Sequence, residues 1–510
     1  MISNKIRAIN IISVILAFAV QMIISFWLSP FVIDSLGEEA FGFINLSNNF
    51  VSYASLLAVA INSMSCRYIS VEYNCGNVNE AKSYFTSVFI FNLFLSAVIF
   101  IFSLFLVCNL DCVVEVSAVF FNQVKLTFLF SFFTLEISLI GTVYTVASFV
   151  SGKMHYNSLV QIVSNIVKCV LIYSLFVFFS AKIYFLSIAT LIASIITVFG
   201  NYFITKKLIA DFGICFGFYD FRKLIILFKS GFGLLITSLS NIMLNGFDLL
   251  FCNWFVNGSA MGRLSIAKQI PLALSIALCC FLNIFSSELT KIYAKDGKSK
   301  IVVETIKQLK ILSFIFTVPF AGIIVFGKDF LLLWLRGSSY TQEQYNELYL
   351  IMILVLVDII VSAYMYSLHS VFVAIDKVKT YSMYLLVSSV VSIFLTLVLL
   401  RFTNLGVFAI AGTSSLILGG THGIIVPAVA AKLLNCPIVT FWKIELMSWF
   451  SLFVIVCLFL ISNLFMSFHN WNNFFCNVLI AGVIGYFFEF IIIFSKKEKM
   501  WILNIMKSGH

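Results

Sequence analysis

The chain alternates apolar runs of about twenty residues with short polar stretches, and each run is long enough to cross a hydrocarbon core of about 30 Å as a helix. About fourteen such runs are predicted. The first six cover roughly Ala8 to Leu28, Phe43 to Met64, Phe85 to Val107, Leu126 to Phe149, Leu159 to Phe179 and Ile183 to Ile204. A basic connector follows with Lys206, Lys207, Arg222, Lys223 and Lys229, and its stretch Phe221 to Lys229 reads as a short helix lying in the membrane interface. Six more runs cover Phe232 to Phe255, Leu264 to Ser286, Ile311 to Phe326, Leu348 to Val371, Tyr381 to Leu400 and Leu405 to Ala431. Two last ones lie near Ile444 to Ile461 and Phe474 to Phe494. This is the pattern of an all-α polytopic membrane protein.

The second run sits in a recognisable setting. An acidic turn at Glu38 and Glu39 leads through Gly42 into an apolar segment carrying Asn45, Asn48, Asn49 and Asn62, which ends at Arg67 and a polar hairpin at Gly76 and Asn77. The layout recurs about 220 residues later. Gly262 then matches Gly42, Lys268 matches Asn48, and Tyr293 matches Tyr73. Further on, FVSGKMHYNSLVQIVSN aligns with FVAIDKVKTYSMYLLVSS, so that Lys153 matches Lys377, Ser158 matches Ser382, and Glu136 matches Asp358 in nearly the same register. Six runs per copy give both copies one orientation. The pattern predicts two six-helix bundles related by a pseudo-two-fold axis along the membrane normal, with a substrate path between them. The expected division is residues 1–205 as the first bundle, 206–231 as the cytoplasmic connector, 232–431 as the second bundle, and 432–510 as two added helices with a basic tail.

Composition sharpens this reading. With 61% hydrophobic and 11% charged residues, the chain falls outside the range of soluble globular proteins, which carry about 25% charge. The net charge of +10 alone would fit a nucleic-acid partner, but its distribution does not. With the N-terminus inside, about 24 Lys and Arg fall on the inner side and about six on the outer side, which places both termini in the cytoplasm and the excess charge against the inner leaflet. Lys168 and Lys268 alone fall within spans. Lys5 and Arg7 precede a first run too long for a cleavable signal. The twelve cysteines include no CxxC, which argues against a zinc site, although Cys108 and Cys112 share an outer loop and are able to pair. No phosphate-binding loop, HExxH or GxSxG is present, so neither ATP hydrolysis nor catalysis at a displayed soluble site is expected.

The string LGEEAFGFINL, the polar-flecked helix after it, RYISVEY and the GN hairpin together resemble the N-terminal signature of bacterial polysaccharide flippases. These are the O-antigen and capsule repeat-unit transporters of the multidrug/oligosaccharidyl-lipid/polysaccharide superfamily. Leu333, Trp334, Leu335, Arg336 and Gly337 resemble that family's LWLG-type element, with Arg336 inserted before the glycine. The resemblance covers nearly the whole chain. It implies a MATE-like, V-shaped pair of bundles with alternating access. The implied cargo is an oligosaccharide on undecaprenyl diphosphate, moved from the cytoplasmic to the outer leaflet of the inner membrane. It also implies that the first two helices of each bundle line the cavity, where this chain carries Gln21, Asn48, Asn49, Asn241, Asn245, Asp248, Lys268 and Gln269. A polysaccharide polymerase and a chain-length regulator are the partners it implies.

Each charge has a bland reading beside the functional one. Lys268, three residues before Pro271, can attract the diphosphate or snorkel to headgroups. Arg67 and Arg263 can receive diphosphate or simply anchor helix ends. Lys168 lies too deep to snorkel and can pair with Glu136 or face cargo. Asp248, Asp358 and Glu136 are candidates for coupling to H+ or Na+, or for tying helices together in protonated form. His422, between Gly420 and Gly423, reads as packing or as a proton relay. Two competing functions remain open: a cation-coupled multidrug exporter of the same fold, and a membrane-embedded polymerase or transferase. Exporters of this superfamily usually have twelve spans and an acidic cavity. An embedded enzyme would need a large outer loop or a polar cluster at one face.

Overall fold

In lipid a backbone must satisfy its polar groups within the segment, so long apolar runs are expected to be helices throughout. The computed structural model describes residues 4–209, 212–337, 340–465, 468, 470–496 and 498–500, with some side chains within α1 and α11 left undescribed. Among the described residues there is no strand. The helices are α1 (Asn4–Leu36), α2 (Glu38–Asn74), α3 (Val78–Cys108), α4 (Phe121–Thr142), α5 (Val146–Val150), α6 (His155–Phe178), α7 (Tyr184–Leu208), α8 (Phe221–Asn245), α9 (Phe247–Phe255) and α10 (Gly258–Ala267). They continue as α11 (Gln269–Asp296), α12 (Lys298–Trp334), α13 (Gln342–Met365), α14 (Ser367–Ala374), α15 (Val378–Phe402), α16 (Val407–Gly420), α17 (Val426–Leu434), α18 (Val439–Asn463) and α19 (Trp471–Ile493). Thirteen segments among the described residues are long and apolar enough to cross a membrane. The remaining predicted span is α11, whose described apolar stretch is Gln269–Cys279.

The helices outrun the hydropathy. Helix α2 has 37 residues, starting at Glu38 and Glu39 in its first turn, where carboxylates favour the helix N-terminus. The predicted interfacial helix at Phe221–Lys229 does not exist as a separate element. Asp220 accepts a hydrogen bond from the Arg222 amide and caps α8, which then runs unbroken to Asn245. A further break falls at Lys268, between α10 and α11. Pro271 has no N–H to offer the Ala267 carbonyl, which accounts for the break one turn earlier.

By internal packing the chain divides into residues 1–265 and 266–510. In the first unit α2 is central and packs against α8, α3 and α4, while α7 joins α4 to α6. Ile61, Ile69, Phe85, Val88, Val143, Tyr144 and Leu227 form part of its core. In the second unit α12 is central, packed by α18, α13 and α19 around Leu312, Phe316, Phe320, Leu356, Tyr364, Ile455 and Phe459. Large side chains such as Phe94, Ile101, Phe105, Phe453 and Phe487 point outward, which is the expected arrangement when the solvent is lipid.

The repeat is written into the backbone. After α5, Lys153 N–H reaches back to the Ser148 carbonyl at 2.9 Å, with Gly152 at φ 65°; after α14, Lys377 N–H reaches the Phe372 carbonyl at 2.8 Å, with Asp376 at φ 56°. These are matching left-handed helix endings, one on glycine and one on aspartate, which tolerates that region. The helix before each ending is also interrupted at matching places, after Thr142 and after Met365. In the first unit, Asn10 clamps the turn, donating to the Gly152 carbonyl at 2.7 Å and accepting from the His155 amide at 3.1 Å.

Candidate substrate and coupling sites

One face of α2 carries close contacts that involve Asn49 and Arg263 among the residues singled out in the first unit. Glycine lets this face come close to its neighbours. A Cβ on Gly42 would lie 2.9 Å from the Gly262 amide nitrogen, and one on Gly262 would lie 2.1 Å from the Glu38 carbonyl oxygen. The two glycines matched by the repeat therefore touch each other. Lower down, a Cβ on Gly231 would stand 1.9 Å from the Ala60 carbonyl oxygen. Close backbone approach through small residues is how helices associate without a hydrophobic drive between them.

Polar contacts line the same face. The Arg263 guanidinium meets the Glu38 carboxylate at 2.8 Å, which makes this arginine part of an ion pair. Asn45 donates to Ser265 Oγ at 2.6 Å. Asn49 and the Tyr53 hydroxyl both donate to the Gly246 carbonyl, at 2.8 and 2.6 Å. That carbonyl lies at the junction of α8 and α9, where the helical ladder is interrupted. Asp248 is buried in the first turn of α9. Asn48, Gln21, Asn241 and Asn245 are exposed, as is Arg67 at the far end of α2. Deeper in the unit, Asn62 and Asn92 exchange amide hydrogen bonds at 3.1 Å, and Asn92 also donates to the Leu139 carbonyl at 3.0 Å.

The expected pair between Glu136 and Lys168 is absent. Glu136 Oε1 is buried without a hydrogen bond, and Lys168, half-buried on α6, makes no ion pair or hydrogen bond among the described residues. Spacing along neighbouring spans brought the two to similar depth, but side chains on round helices need a shared azimuth as well.

In the second unit Lys268 is 5% exposed, which argues against snorkelling, and Gln269 starts α11 half-buried. Asp358 is drawn into a constellation. Ser362, one turn along α13, donates to Asp358 Oδ1 at 3.2 Å and lies 2.8 Å from His422 Nδ1. His422 Nδ1 and Asp358 Oδ1 are 3.7 Å apart, and His422 Nε2 is 3.4 Å from the Tyr381 hydroxyl. His422 belongs to a π-turn, Thr421–Ile425, set between α16 and α17. Trp442 donates its indole N–H to the Gly423 carbonyl of that turn at 3.0 Å. Sequence reasoning named Asp358 and His422 separately and missed Ser362 and Tyr381. The i, i+4 spacing of Asp358 and Ser362 was the available signal.

A second buried carboxylate, Glu489 on α19, is fully enclosed and receives hydroxyls from Ser451 and Ser313, the latter at 3.2 Å. It was not anticipated. Cys108 and Cys112 are free thiols.

Residues 8–286 match the family described as "Polysaccharide biosynthesis protein". Over 412 residues, 80% of each chain, the sequence is 24% identical to a Bacillus subtilis (strain 168) protein described as the uncharacterized membrane protein EpsK. The fold is similar to that of lipid II flippase MurJ in an inward closed conformation, with a TM-score of 0.63 and 15% identity, covering 96% of this chain and 98% of that one. It is also similar to an inward-facing multidrug resistance MATE family transporter of the MOP superfamily, with a TM-score of 0.65 and 14% identity, covering 84% of this chain and 95% of that one. The all-helical, multi-pass fold expected from the sequence is thus the observed one.

Proposed function

The chain belongs to the polysaccharide biosynthesis protein family, and on that premise we propose that it is a flippase for lipid-linked oligosaccharides. It carries repeat units on undecaprenyl diphosphate from the cytoplasmic to the outer leaflet of the bacterial cytoplasmic membrane, for O-antigen or capsule assembly. Both termini face the cytoplasm, as the bias of basic residues favours. A polymerase and a chain-length regulator act on its product.

The observation that carries this reading is coverage. The likeness to the lipid II flippase runs over 96% of the chain, whereas the likeness to the MATE transporter described above uses 95% of that protein on 84% of this one. The exporter reading leaves part of this chain without a counterpart. Lys168 and Lys268 are the candidate diphosphate ligands, since a half-buried or buried cation in a low-dielectric setting attracts phosphate more strongly than one in water. Arg67, exposed and outside any ion pair among the described residues, is the candidate for first contact. Asp248 and Glu136 are candidate cation-coupling residues in the first unit.

The test is a deletion strain complemented with wild type, Lys168→Ala or Lys268→Ala, following surface glycan and the leaflet position of its lipid-linked precursor. The expected result is precursor stranded on the cytoplasmic side in the deletion and in at least one alanine variant, at normal protein level. Precursor that reaches the outer leaflet in the deletion but stays unpolymerised would sink the flippase reading in favour of an enzyme.

A further inference from the structure

Within the first unit α2 and α8 form an antiparallel pair. The Tyr68 and Ser230 hydroxyls meet at 2.8 Å, Gly231 lies against Ala60, and Asn49 and Tyr53 donate to the Gly246 carbonyl. At about 100° per residue, Asn48 and Ser52 lie about a quarter turn from Asn49, Tyr53 and Ala60, which meet α8. Asn241 and Asn245 are displaced in the same sense from Gly231 and Gly246, which meet α2. In an antiparallel pair, equal displacement puts both strips on one flank. All four side chains are exposed; Ser63 is exposed further along α2, and Ser238 is half-exposed one turn from Asn241. Leu57, exposed and apolar, lies on the opposite side of α2.

Amides exposed within a span face water or a polar ligand, because hydrocarbon would leave them unsatisfied. The chemistry of this flank is uniform. Residues 40–66 and 230–247 contain no Asp, Glu, Lys or Arg, and Asp248, the next acid along, is buried. Free charge appears at one end. About 28 Å of helix separates Asn48 from Arg67. There Arg67 and Lys229 are both exposed, each next in sequence to a member of the Tyr68–Ser230 hydrogen bond. At the other end the Glu38 carboxylate and the Arg263 guanidinium neutralise each other at 2.8 Å.

We propose that this flank of the α2–α8 pair is a glycan-binding surface, and that it takes an uncharged oligosaccharide with a phosphate anion at one end. This deepens the flippase reading and rests on it for the anionic lipid end. Amides and hydroxyls both donate and accept hydrogen bonds, as the hydroxyl and acetamido groups of sugars do. Asn48 with Ser52, and Asn241 with Asn245, stand one turn apart, so each helix presents two such groups to neighbouring positions on the glycan. A carboxylate on the glycan itself would shed its water along this flank with no cation to meet it, which is costly in a low dielectric. The anionic end finds its cations at Arg67 and Lys229, on the cytoplasmic side in the topology proposed above. The ligand and the flank therefore match end for end: an uncharged body against amides and hydroxyls, and a diphosphate against two cations.

The experiment measures binding to the intact purified protein in lipid nanodiscs with four synthetic probes. These are bare undecaprenyl diphosphate, the same lipid carrying N-acetylglucosamine and galactose, the same with glucuronic acid in place of galactose, and the neutral disaccharide on a prenyl chain without phosphate. The neutral glycan should tighten binding about tenfold over bare undecaprenyl diphosphate, and the acidic one should not. Asn241→Leu and the milder Ser52→Ala should each take back about threefold to tenfold of that gain. Asn241→Lys should instead raise the affinity of the acidic glycan about tenfold, a gain that misfolding cannot imitate. An acidic glycan bound as tightly as the neutral one overturns the proposal, and so does full gain from the sugar in both Asn241→Leu and Ser52→Ala. Binding of bare undecaprenyl diphosphate with no gain from the sugar overturns it while leaving the flippase reading standing. Binding of the phosphate-free neutral glycolipid, with no response to diphosphate, upholds the glycan surface and removes the lipid-diphosphate reading. Binding of none of the four probes removes both.

Discussion

Glu136 and Asp358 occupy matching places in the two repeats, each on the helix that breaks just before a left-handed ending, yet their surroundings differ. In the first unit Glu136 has a buried oxygen with no partner, and the polar interior around it is built from amides and hydroxyls: Asn62 with Asn92, and Ser131 between Ser47 and Ser187 at 3.2 and 3.1 Å. In the second unit Asp358 has Ser362, His422 and Tyr381 within reach, and Glu489 is held by hydroxyls elsewhere in the same unit. At the matched positions the first copy leaves its acid without a hydrogen bond on Oε1, whereas the second draws its acid into a hydrogen-bonded cluster. The backbone kept the repeat while the side chains divided the work.

The largest effect should come from packing. Gly231→Ala drives a methyl into the Ala60 carbonyl and should cost about 1–3 kcal/mol, as overpacking does. Gly419→Ala in the second unit, where the methyl meets only ordinary contact, should be tolerated. Folded fraction after detergent extraction compares the two. Equal losses would show that close helix approach is not specific to α2 and α8.

Next comes the matched pair of acids. Asp358→Leu should lower thermal stability by about 1–3 kcal/mol, because the Ser362 hydroxyl loses its carboxylate acceptor. Glu136→Leu should leave stability unchanged or raise it, since an unpartnered buried carboxyl is itself a cost. Midpoints measured in one detergent decide it, and a large loss for Glu136→Leu would mean that the two sites are alike after all. Asn92→Leu tests the neutral network. Hydrogen bonds of this kind in membranes are worth about 0.6 kcal/mol on average and up to about 1.7, so a cost within that range is expected and a larger one would point to repacking.

The smallest effect lies outside the spans. Burial by itself would push the Glu498 carboxyl up, but hydrogen bonds from Lys310 at 2.8 Å and from the Ser495 amide and hydroxyl, together with the Lys310 charge, hold it below its usual range. A depressed carboxyl contributes stability above its unfolded value of about 4.3, and that contribution fades as pH falls through the lower folded value. Glu498→Gln should therefore cost a little near neutral pH and nothing in strong acid, seen as convergence of the two melting midpoints.

Most of the spans and the repeat were legible because hydropathy and turn chemistry are local. Gly42 and Gly262 were legible as a pair, although nothing in the sequence said that they touch. Partner choice was not legible. Glu136 and Lys168 look suited by depth and charge but do not pair, while His422 finds Ser362 and Tyr381 from a π-turn that hydropathy cannot register. Helix length also escaped, because polar turns at the ends of α2 carry no apolar signal even though they continue its hydrogen-bond ladder.

The segment between α3 and α4 is held by residues made much later. Asn253 accepts the Glu115 amide at 2.9 Å and donates to the Glu115 carbonyl at 2.8 Å, while the Trp254 indole donates to the Val113 carbonyl at 2.7 Å. Domains fold as the ribosome delivers them, N-terminal parts first. This segment must therefore wait, hydrated and unclamped, until α9 has been synthesised and threaded into the bilayer. A nascent chain stalled short of Asn253 should expose it to a protease that the finished protein resists.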